Sequence, residues 1–75
     1  MTGFIHVFGR AVREQREARG WSQELLAERA DLNRSYLGEV ERGSATPSLA
    51  TAAKLASALE IPLSGLLSEC EQRAA

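Results

Sequence analysis

Apolar residues recur along the chain at spacings of three and four, without strict alternation, so the pattern predicts helices and no strand. Phe4, Phe8, Ala11, Val12 and Ala18 fall three, four or seven apart and predict a first helix that Gly20 can terminate. Gly9 weakens its early part and favours a late start. Ser22 suits the N-cap of "QELLAERA", with Trp21 before the cap and Leu26 inside the helix placed as a hydrophobic staple. This second helix should end near Ala30, leaving Asp31 to make the turn. Asn33 then caps a third helix running to about Arg42 and stopping at Gly43, and Leu32 with Leu37 repeats the staple spacing. After the loop "SATPS", Thr46 or Ser48 caps a fourth helix with Leu49, Ala52, Ala53, Ala56 and Leu59 on one face. Pro62 opens a fifth, where Leu63, Leu66, Leu67 and Cys70 sit at i, i+3, i+4 and i+7.

Only "DLN" separates the second and third helices, and a turn that tight forces them to cross steeply, as in a helix-turn-helix over about residues 22–42. The start of helix three then projects from the body. At 100° per residue, Leu37 and Val40 share one side of that helix with Glu41 at its edge. Ser35, Glu39 and Arg42 lie opposite, with Gly38 between Arg42 and Arg34. The polar set is the one that can enter a groove.

Composition narrows the fold. Seventy-five residues make one domain, near the lower size for a core without disulfides or metals. Trp21, Tyr36, Phe4 and Phe8 are the only aromatic residues, so Leu, Ala, Val and Ile must build that core. An all-α bundle of five short helices is expected. Cys70 is alone, which excludes an intrachain disulfide and a cysteine metal cluster and favours a reducing compartment. No apolar stretch approaches the roughly 20 residues of a membrane span. "MTGFIHVFGR" lacks the basic region of a signal peptide, so the expected location is the cytoplasm.

The net charge of −1 does not announce a nucleic-acid binder, but its distribution is informative. Residues 1–19 carry four Arg against two Glu, a balance of +2. Residues 60–75 carry three Glu against one Arg, a balance of −2. The acidic end would repel phosphates, so a nucleic-acid face must lie elsewhere.

At "WSQELLAERADLNRSYLGEVERG" followed by "TPSLATAAKLASALEIPLSGLL", the chain resembles the Cro/phage-repressor-like (XRE-type) helix-turn-helix family. The likeness covers roughly residues 10–69, through "SQ" opening helix two, "RSYLGEVERG" in helix three and "PSL…KLASAL" in helix four. Within the family the wording is most similar to controller proteins of restriction–modification systems. The resemblance implies a five-helix lambda-repressor-like domain that binds DNA as a homodimer and regulates transcription. By position, Gln23 is implied to contact phosphate, and Arg34, Ser35 and Glu39 to read bases. Arg42, Ser44 and Thr46 are implied to lie along the DNA backbone. Arg16 and Glu41 are implied to form a structural ion pair joining helices one and three. Gln15 departs from the usual apolar residue, Asp31 from a turn glycine, and Glu60 from the glycine that ends helix four.

The chemistry of each residue can be weighed separately. Arg34 can donate two hydrogen bonds to guanine O6 and N7, or remain a solvated cation. Ser35 can bond to a base or phosphate, or fill a first-turn position. Glu39 can accept from cytosine N4 or orient a neighbouring Arg, or be a solvated charge. Tyr36 can touch backbone or a thymine methyl, or pack at the domain edge. Gly38 either permits close approach to DNA or sits neutrally at an exposed site. Ser22, Gln23 and Asn33 stand at helix starts, where capping comes first and an anion such as phosphate is the added ligand. His6 has no second ligand nearby and reads as a surface residue. Cys70 reads as an apolar packing residue, with a redox sensor as the alternative.

A sequence-specific regulator needs more base contacts than one monomer offers, so a symmetric dimer on a palindromic operator is expected. Its interface would be an exposed stripe of Ile61, Leu63, Leu66 and Leu67 along a dimerisation helix over about residues 62–70, with RNA polymerase a further candidate partner. The competing reading is an antitoxin-like or phage-repressor-like module whose main partner is another protein. The few residues after helix five leave little room for a neutralising segment. No nucleophile–base pair, carboxylate dyad, metal spacing or phosphate loop supports an enzyme, and no cofactor or metal is expected.

Overall fold

Helices form where a capping residue and an apolar stripe coincide, and the computed structural model, which describes residues 2–74, contains five of them. They are α1 (Thr2–Ala18), α2 (Gln23–Arg29), α3 (Arg34–Arg42), α4 (Leu49–Ala58) and α5 (Leu63–Ala74). Side-chain oxygens start three of them. Ser22 accepts from Leu25 N, Asn33 from Ser35 N and Tyr36 N, and Ser48 from Thr51 N. Ser48, and not Thr46, is therefore the cap of α4.

The first four helices end alike. Gly20, Asp31, Gly43 and Glu60 each adopt a left-handed conformation, with φ of 72°, 56°, 77° and 58°. In each case this residue and the next donate their N–H groups back to carbonyls of the last turn. After α2, Asp31 N bonds to Glu28 O and Leu32 N to Ala27 O; after α4, Glu60 N bonds to Ser57 O and Ile61 N to Ala56 O. This pattern satisfies the orphan carbonyls of a helix end and normally favours glycine. Asp31 and Glu60 thus keep the glycine-type turn without glycine.

The core is small and largely aliphatic. Phe8, Ala11 and Val12 of α1 meet Leu26 and Ala27 of α2, Leu37 and Val40 of α3, Leu55 and Ala56 of α4, and Leu66 and Cys70 of α5. α1 packs against both α3 and α5, so it forms the spine on which the other elements assemble. Burial pushes the Cys70 thiol above the ordinary cysteine range, consistent with an apolar packing residue.

Four expectations need correction. The first helix does not start late: it is helical from Thr2, through Gly9. A side chain at Gly9 would collide with the Val40 carbonyl and lie 2.7 Å from Glu41 O, so this glycine lets α1 press onto α3. Ala18 lies outside the apolar stripe and is exposed. Leu49, 71% exposed, and Ala53 also leave the core face of α4, which is carried by Ala52, Leu55, Ala56 and Leu59. Leu66 is not part of an exposed stripe. It is buried with Cys70, whereas Leu63 and Leu67 are half-buried at the rim, because the i, i+4 pair Leu66–Cys70 turns toward α1.

Candidate nucleic-acid interface

Leu37 and Val40 fix one side of α3 in the core, which leaves Arg34, Ser35, Glu39 and Arg42 exposed on the other. Gln23, Arg34, Ser35, Gly38, Glu39 and Arg42 line one shallow hollow, where the first turn of α2 meets the outer face of α3. Sequence reasoning nominates all six of these positions, and the fold brings them together. Tyr36 is half-buried against the core and borders that face without belonging to the hollow.

Beneath the hollow is a charged network. Arg16 donates from Nε to Glu41 Oε2 at 2.8 Å and from Nη2 to Glu41 Oε1 at 3.0 Å, a two-bond clasp between α1 and α3. The third guanidinium nitrogen of Arg16 donates to Trp21 O at 2.8 Å, so the entry to α2 is tied to the same pair. Both ionised residues are buried, and no buried side-chain nitrogen or oxygen among the described residues lacks a partner. The hydrogen-bonded Glu41 carboxylate raises the Arg16 pKa above the ordinary guanidinium value, outweighing the opposing effect of burial.

Gln23 also enters this network. Its Nε2 donates to Glu41 Oε1 at 2.9 Å, which fixes the amide at the start of α2 and leaves the second Nε2 hydrogen outside that bond. Sequence reasoning missed this tie, since the two residues stand 18 apart on different helices. Other nominated residues have structural duties too. Ser22 and Asn33 use their side-chain oxygens as caps, and Ser44 Oγ donates to Glu39 O at 3.2 Å. Thr46 is exposed in the loop that follows. Glu39 forms no ion pair with Arg34 or Arg42 among the described residues, so its role as an orienter of arginine finds no support.

A second shallow groove runs beside the hollow, between α1 and the end of α3, lined by His6, Arg10, Arg13, Glu14, Glu17, Glu41 and Arg42. His6 lies against Gly43, where a side chain would collide with the imidazole Nδ1. Glu17, Glu41 and Glu14 are paired with Arg13, Arg16 and Arg73 respectively. On the far side of α2, Trp21 is stacked by Arg29 at 4.6 Å and approached by Arg19 at 5.8 Å. Arg19 also donates to Leu59 O at 2.7 Å and so locks the end of α4 to α1.

Comparison with known proteins gives one consistent answer. The helix-turn-helix family matches residues 12–66. The chain is 38% identical over 80 residues to the control protein C.BamHI of Bacillus amyloliquefaciens, covering 97% of this chain and 99% of that protein. It is 32% identical over 68 residues to the HTH-type transcriptional regulator SutR of Escherichia coli, covering 91% of this chain but 38% of that longer protein. Among solved structures, the restriction-modification controller protein C.AhdI from Aeromonas hydrophila superposes with a TM-score of 0.80 and is 48% identical. That match covers 83% of this chain and 94% of the other. The hollow on α2 and α3 thus lies in a chain that belongs to the helix-turn-helix family, close to the controller proteins of restriction–modification systems.

Proposed function

We propose that this protein regulates transcription by binding a palindromic operator in double-stranded DNA as a homodimer, in the manner of a restriction–modification controller. The observation that carries the reading is the joint placement of Gln23 of α2 with Arg34, Ser35 and Glu39 of α3 around one exposed hollow, where the other side of α3 is locked in the core. In this reading the outer face of α3 enters the major groove, with the residues of its first turn reaching deepest. Arg34 grips a guanine edge, while Ser35, Tyr36 and Glu39 complete the base and backbone contacts. Asn33, Ser22 and Gln23 hold phosphate at helix starts, Gln23 through the hydrogen not given to Glu41. Ser44 and Thr46 follow the backbone beyond α3.

Dimerisation would use the half-buried Ile61, Leu63 and Leu67, whose outer surfaces remain available at the rim of α5. RNA polymerase is the further partner of an activating regulator, the cytoplasm its place of action, and binding without catalysis its mode. Selection of bound fragments from random duplex DNA tests the whole reading. The expected product is a palindrome whose half-sites lie about 10 bp apart, or a multiple of that. A pool that remains random would reject it.

A further inference from the structure

Gly38 lies on the outward side of α3, one turn after Arg34 and one turn before Arg42, and yet it is buried. Its cover comes from two long side chains. A methyl group placed on Gly38 would sit 3.1 Å from Arg42 Nη1 and 3.7 Å from Gln23 Oε1. The Arg42 guanidinium is therefore folded back by one turn, in the direction that helical side chains lean, and it borders the space of a residue at 38 closely enough that a side chain there would push it outward. No carboxylate pairs with Arg42 among the described residues, so its donors are not committed within the protein.

We propose that Arg42 is a second base-reading arginine and that Gly38 is the gap that admits it. Family position places Arg42 at the helix end beside the DNA backbone, which an extended side chain would reach. Folded over Gly38, the guanidinium instead occupies the middle of the outward face, where it can donate to guanine O6 and N7. One helical turn is about 5.4 Å and base pairs are stacked about 3.4 Å apart, so Arg34 and Arg42 reach different base pairs of one half-site. Glycine is a poor helix former, but at 38 it leaves the folded Arg42 guanidinium undisturbed, whereas a side chain there would press on it. The inference rests on the proposed placement of α3 in the major groove.

The test uses the full chain, its selected operator and every single-base variant of one half-site, with binding measured by competition. Arg42→Ala should flatten the preference at one base pair, distinct from the pair that Arg34→Ala affects, by about 5- to 150-fold. Gly38→Ala should raise the melting temperature and yet erode preference at that same pair, with no added effect when combined with Arg42→Ala. Uniform weakening across all variants by Arg42→Ala would show a phosphate contact and overturn the inference. So would a Gly38→Ala loss that persists without Arg42, since Gly38 would then serve direct approach of the backbone to DNA. A wild type that prefers no duplex rejects the proposed function itself, and the inference with it.

Discussion

Arg16 occupies the place on α1 where the stripe of Phe8 and Val12 would continue, and Glu41 meets the buried charge with two hydrogen bonds. Removing one member strands the other in the core, so Arg16→Ala should cost about 3–5 kcal/mol, measurable by denaturant titration. Gln23→Ala removes a hydrogen bond to the buried Glu41 carboxylate and should cost about 1.5–3 kcal/mol, less than Arg16→Ala. It should also weaken all DNA sequences alike, because phosphate contacts carry no direct sequence information. Arg34→Ala should cost about 1–3 kcal/mol per half-site and relax preference at one base pair. Binding of both variants to a set of single-base operators checks the contrast, and the placement of α3 in the groove fails if Gln23→Ala alone alters base preference. The outward set on α3 was legible from its 100° spacing, since Leu37 and Val40 leave only one face for the polar residues. The bond from Gln23 to Glu41 was not, because no local pattern relates two side chains that meet only after three helices have packed.

Among the elements, the capped starts of α2 and α3 are legible in the sequence, since an N-cap is a local hydrogen bond between a side chain and an amide two or three residues on, whereas the uncapped start of α1 is not. Helix ends were subtler. Asp31 and Glu60 break the glycine pattern in sequence, but the backbone adopts the left-handed turn at both positions. Glutamate has no special tolerance for that conformation, whereas aspartate has some. Glu60→Gly should therefore stabilise the protein by about 1 kcal/mol, more than Asp31→Gly, which calorimetry should record as a rise of roughly 4–8 °C. A fall in melting temperature would mean that the Glu60 turn carries no strain. The stripe on α5 was legible as a stripe but not as two: spacing alone could not say that Leu66 and Cys70 face α1 while Leu63 and Leu67 remain at the rim. Gly9 was misjudged for a related reason, because its benefit comes from α3 and only its cost is local.

For the molecule as a whole, net charge is a poor guide to binding, since the acidic residues near its C-terminal end lie apart from the hollow on α3. Operator affinity should fall steeply with added salt, by about 0.9 log units per log unit of salt for each phosphate neutralised. A flat response would contradict any meeting of this protein's arginines with the phosphate backbone. Leu67→Glu, at the rim, should yield a folded monomer, whereas Leu66 is too deeply buried to serve as an interface probe. Ultracentrifugation at roughly tens of micromolar, where a dimer held by about 8 kcal/mol would form, checks this, and a monomeric wild type would refute the α5 interface. The docking of α5 onto α1 also sets a schedule for biosynthesis. During translation the α2–α3 reader emerges from the ribosome well before Leu66 and Cys70, which complete the core around α1. A nascent chain therefore carries its proposed reading helix for a time without the support that aims it. Competence to bind DNA thus waits on α5, although none of the proposed contacts to DNA are made by it.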